Sequence, residues 1–66
     1  MGTAIILRCR RKHSDGEVRV WYEYAPIVEG RAKRRPNHMM ASAESAADLA
    51  RRSGFSVEGG VVDVQV

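Results

Sequence analysis

Two stretches of side-chain alternation, separated by the Ser14-Asp15-Gly16 cluster, constrain this chain more than any other feature. From Thr3 to Arg10, Ile5, Leu7 and Cys9 point one way while Ile6, Arg8 and Arg10 point the other, which is the period of a half-buried strand. From Glu17 to about Tyr24, Val18, Val20, Tyr22 and Tyr24 share one face; Glu17, Arg19, Trp21 and Glu23 share the other. Ser14-Asp15-Gly16 supplies turn chemistry, with Gly16 free to take a positive φ, so the two stretches are expected to pair as a hairpin. The expected core face carries Ile5, Leu7, Cys9, Val18, Val20, Tyr22 and Tyr24, with Arg8, Arg10, Arg19 and Trp21 facing outward. A large aromatic on a charged face calls for a cover or a stacked arginine.

Downstream, Pro26, Gly30 and Pro36 punctuate a long basic loop at about 25–41, within which a short strand around Gly30 to Lys33 can turn at Glu29-Gly30. Ser42 to Ser53 reads as a helix: Ser42 caps it, Glu44 and Asp48 suit its amino end, Arg51 and Arg52 its carboxyl end, and Gly54 stops it. Its apolar stripe is Ala43, Ala46, Leu49 and Ala50, and Phe55 can fold back on the last turn. Phe55 to Val66, interrupted by Gly59-Gly60, is either one bulged strand or two short strands joined by a turn. Val61, Val62, Val64 and Val66 suit an interior strand beside the first one, or an edge open to another chain. The expectation is a single α+β domain over residues 1–66. A small antiparallel sheet of three to four strands carries one helix on one face, in β-β-α-β order with room for an extra short strand.

At 66 residues the chain stands near the lower limit for a self-sufficient core, and homodimerisation is one way to supply missing burial. One cysteine excludes an internal disulfide framework, and no apolar run reaches membrane-spanning length. The amino terminus has no signal-peptide pattern, Ile6 stands where myristoylation wants Ser or Thr, and Asn37-His38-Met39 is no glycosylation acceptor. A soluble, cytoplasmic protein is expected.

Charge is unevenly distributed. Residues 8 to 38 hold nine basic and four acidic residues, net +5; residues 39 to 66 hold two and four, net −2. The basic half comprises Arg8, Arg10, Arg11, Lys12 and Arg19 in the hairpin and Arg31, Lys33, Arg34 and Arg35 in the loop, with His13 and His38 among them. Clustered cations on one surface release counterions from neutralised phosphates, and arginine's planar fork meets phosphate or guanine bidentately. Trp21 beside them would offer a stacking platform for an unpaired base. The candidate interface is therefore Arg8, Arg10, Arg11, Lys12, Arg19, Trp21, Arg31, Lys33, Arg34, Arg35 and His38, and the expected partner is DNA or RNA. The plainer alternative is a solvated charge surface.

A second reading uses the same surface to dock on an acidic or nucleic-acid-binding protein complex. In size and simplicity the chain resembles the small effectors of phages and mobile elements, including inhibitors of host defence complexes; that likeness assigns no residues. A third reading is a small ribonuclease-like toxin using His13 and His38 with Lys12 and Asp15. No catalytic site is expected. Cys9 reads as a structural thiol; Cys9, His13 and His38 are too few for a metal site; Gly59-Gly60 lacks the spacing of a phosphate loop; no cofactor is expected. Zinc-finger, helix-turn-helix and RNA-recognition signatures are all missing.

Overall fold

The computed structural model describes residues 2–34 and 39–66. The elements run β1 (Gly2–Lys12), β2 (Val18–Val28), β3 (Arg31–Ala32), α1 (Ala43–Arg52) and β4 (Phe55–Gln65). They form a four-stranded sheet in the order β3-β2-β1-β4, with α1 packed against one face, so the α+β class and the one helix among the described residues follow the sequence. The sheet is mixed, not antiparallel throughout as expected: β2 is antiparallel to β1 and β3, while β4 lies parallel to β1. A parallel neighbour requires a crossover, and α1 supplies it.

The hairpin register overturns the expected core face. Ile6 stands opposite Tyr24, Arg8 opposite Tyr22 and Arg10 opposite Val20, while Leu7 meets Glu23 and Cys9 meets Trp21. Odd residues thus pair with odd ones, because three residues separate His13 from Glu17, whose backbone groups bond at 2.8 Å. Shifting a register by one residue exchanges the faces of a whole strand. Val18 and Val20, expected inside, are 49% and 52% exposed. Arg8 and Arg10 accordingly face away from Arg19 and Trp21.

One face holds Ala4, Ile6 and Tyr24 under Ala46, Ala47 and Ala50 of the helix, with Phe55 and Val57 packed beside them. Alanine's small side chain lets the helix axis approach the sheet closely. The cap is as expected: Ser42 Oγ accepts from Ser45 N–H at 3.1 Å, Glu44 lies in the first turn, Arg51 and Arg52 in the last, and Gly54 takes φ +93°. On the helix-free face, Leu7, Cys9 and Ala25 form a second buried cluster with Ile5, Trp21 and Val64 packed against it.

β2 runs further than the sequence suggests, through Pro26 to Val28. Proline is accommodated because its nitrogen side faces the end of β3, where its carbonyl accepts from Lys33 N–H at 2.8 Å. Glu29 and Gly30, both with positive φ, make the two-residue turn into β3. The expected loop is shortened again by Met40, which bridges Tyr22 through two backbone hydrogen bonds. β4 is one bulged strand: its register with β1 shifts between Ala4 and Ile6, at Gly59-Gly60. It lies beside β1 as expected but at the sheet edge, not in the interior, and Val61, Val62 and Val66 are exposed.

Candidate functional site

The helix and the strands differ in length, and this difference exposes the basic end of the sheet. Ten helical residues span about 15 Å, whereas eleven strand residues span about 36 Å. α1 covers the end of the sheet at Ala4, Ile6 and Tyr24. The other end, from Arg8 around the turn to Trp21 and Tyr22, projects beyond it. Both faces there carry arginines around an aromatic ring.

On the helix face, Arg8, Arg10, Val20 and Tyr22 line a depression of about 520 Å³ with Asp63 and Gln65 of β4. Arg8 is engaged there, its Nε donating to Asp63 Oδ1 at 2.8 Å. Lys12 lies further along the same face, beside Arg10, Val18 and Gln65.

On the helix-free face, Trp21 and Glu23 lie in a depression of about 410 Å³. Arg11, His13, Arg19 and Arg34 rim it, with Met39 and Val66 as apolar neighbours. Arg11 and Arg19 stand directly opposite each other across the β1–β2 ladder. Like charges in that position repel. Among the described residues Arg19 pairs with Glu17, at 3.8 Å, in an exposed contact.

An ionic cluster centred on the buried Glu23 lies within this depression. The Glu23 side chain is fully buried, and Arg34 grips it twice, Nε to Oε1 at 3.1 Å and Nη2 to Oε2 at 3.0 Å. Trp21 Nε1 donates to Glu23 Oε2 at 2.6 Å, which fixes the indole on its strand. Burial pushes the Glu23 carboxyl up, but the hydrogen bonds from Arg34 and Trp21 more than reverse this and hold it below the ordinary carboxylate value. Burial also raises the pKa of the neighbouring Cys9 thiol, and the charge of Glu23 adds to it. Cys9 is thus a neutral, buried thiol at physiological pH.

The candidate residues from the sequence therefore divide. Arg11, Arg19 and Trp21 meet on one face; Arg8, Arg10 and Lys12 meet on the other. Arg31 and Lys33 are exposed at β3 and just beyond it, on the far side of β2 from β1. Arg34, expected as a free cation, is the counter-ion of Glu23. Arg35 and His38 lie outside the described residues. Of the ribonuclease set, His13 lines the Trp21 depression, and Asp15 Oδ1 accepts from Glu17 N–H at 2.9 Å within the turn. Sequence reasoning missed Glu23, which it placed on an outward face. The signal was there: a carboxylate two residues after a tryptophan shares its face, and the middle of a long strand is a poor place for an unpartnered charge.

Among the described residues no group of three or more His, Cys, Asp or Glu is placed to hold a metal ion. No helix among them is long and apolar enough to cross a membrane. Comparison with known proteins finds no matching family, no matching sequence and no matching solved structure.

Proposed function

We propose that this chain binds nucleic acid through the end of the sheet that projects beyond the helix. The reading is supported by the opposed pair Arg11 and Arg19, which lines the same depression as Trp21. Two arginines directly opposite each other on one side of a hairpin cost stability in the free protein. A phosphate between them converts that repulsion into two charge-assisted contacts. Arg10 and Lys12 extend the positive surface on the other face, so a strand of nucleic acid meets cations wherever it crosses this end.

Such binding is dominated by counterion release and weakens steeply with salt. A mobility-shift titration at low salt, with single-stranded and duplex oligonucleotides, tests it: retarded complexes that dissolve as salt is raised are expected. A lack of any shift at low salt overturns the proposal. An acidic protein surface is the alternative partner of the same cations. Capture of one defined acidic protein after nuclease treatment, together with no oligonucleotide shift, would replace the nucleic-acid reading with that one.

A further inference from the structure

The Trp21 depression has a shape that distinguishes between nucleic acids. Its aromatic element is recessed: Trp21 is half-buried, tied at its nitrogen to the wholly buried Glu23, and the cations Arg11 and Arg19 stand at the rim. A duplex presents phosphates on a convex surface and keeps its bases stacked inside, so it can reach the rim and not the indole. A single strand can turn one base inward while its phosphates stay outside. The charge layout favours that orientation, because the Glu23 carboxylate is fully buried and held by Arg34, whereas the guanidinium groups of Arg11 and Arg19 are exposed to solvent. Met39, exposed beside the ring, adds a polarisable apolar wall suited to a flat π-system.

Resting on the nucleic-acid reading above, we infer that the depression over Trp21 receives one unpaired base, making single-stranded nucleic acid the preferred partner. Stacking accepts any base, since every base has a π-face, so the site selects for an unpaired strand more than for sequence. Arg34 contributes less to phosphate binding than Arg11 and Arg19, because its Nε and Nη2 already donate to the Glu23 carboxylate, which balances its charge.

Trp21 is the only tryptophan in the chain, so its fluorescence reports on this site alone. The experiment follows that emission while the full chain is titrated with an unlabelled single-stranded oligonucleotide, and with a blunt duplex of equal length. Fluorescence anisotropy of end-labelled copies records binding in parallel. Strong quenching by the single strand and little by the duplex is expected. Trp21→Ala should weaken single-strand binding about 5- to 150-fold, the range of one lost base stack. Trp21→Phe, which keeps an aromatic ring, should restore most of it. Anisotropy reporting single-strand binding with unchanged Trp21 emission would overturn the base pocket and leave the nucleic-acid reading intact. So would equal quenching by the duplex. No anisotropy change with either oligonucleotide would overturn the reading itself.

Discussion

Glu23 and Arg34 form a half-buried, two-point ion pair on the helix-free face, with Glu23 fully enclosed and the Arg34 side chain 35% exposed. The pair ties the segment after β3 to the middle of β2. Its carboxylate also holds the Trp21 indole, so one anion sets both the loop and the ring.

Removing the cation leaves that anion buried without its main partner. Arg34→Ala should destabilise the fold by about 3 kcal/mol, the lower end of the range for breaking a buried pair because Arg34 retains some solvent contact. Urea unfolding monitored by circular dichroism measures this, and a loss below about 1 kcal/mol would show the pair to be dispensable. Replacing both partners with apolar residues should cost less than Arg34→Ala alone.

The same pair sets an acid limit. The Glu23 carboxyl is held below its ordinary value in the folded chain, so its contribution to stability is full above the unfolded-state value of about 4.3. That contribution is lost as pH falls through the lower folded-state value. Stability measured from pH 6 downward should decline through this acid window, and Glu23→Gln should remove part of the decline while lowering stability at neutral pH. A Gln variant with an unchanged acid profile would assign the decline to other carboxylates.

Ala46 and Ala50 are fully buried where α1 meets the sheet, and their lack of bulk sets the distance of approach. Ala50→Leu should overpack that contact and cost about 1–3 kcal/mol. A thermal melt detects it readily, since each kcal/mol moves Tm by about 4–8 °C in a domain of this size. An unchanged Tm would mean that the layers can separate without penalty.

Arg11 and Arg19 make the opposite kind of prediction. Because like charges stand opposite each other there, Arg19→Gln should stabilise the free protein by roughly a few tenths of a kcal/mol, the relieved repulsion less the weak exposed pair with Glu17. The same change should weaken oligonucleotide binding and lower its salt slope by roughly one unit. Gain in one property with loss in the other is the mark of a residue kept for a ligand; loss of stability on substitution would make Arg19 a structural residue.

The local chemistry of this fold was legible in the residues. Ser42 and Gly54 bound the helix, Glu29-Gly30 makes its turn, and Gly59-Gly60 bulges β4, each at a position where a hydroxyl cap or a flexible backbone is required. Face assignment was not, because alternation says which residues of one strand travel together and not which set of the partner strand joins them. The number of turn residues decides that parity, and the three between His13 and Glu17 put Trp21 and Glu23 with Cys9. The wrong parity merges two surfaces: it groups Arg8 and Arg10 with Trp21, from which the sheet separates them. Pro26 also misled, since its tolerance within β2 depends on where β3 ends, a fact about a neighbouring strand. Arg34 looked like one more cation in a basic run, and only the burial of Glu23 identifies it as a counter-ion.

Residue-resolved binding distinguishes the projecting end of the sheet from the helix. In backbone amide NMR of the labelled chain, titration with a short single-stranded oligonucleotide at low salt should shift residues 8–13 and 17–22 most, together with the Trp21 indole N–H. The outer face of α1, around Glu44 and Asp48, should stay unmoved. Perturbations centred on the helix, or none at any concentration of oligonucleotide, would contradict the account.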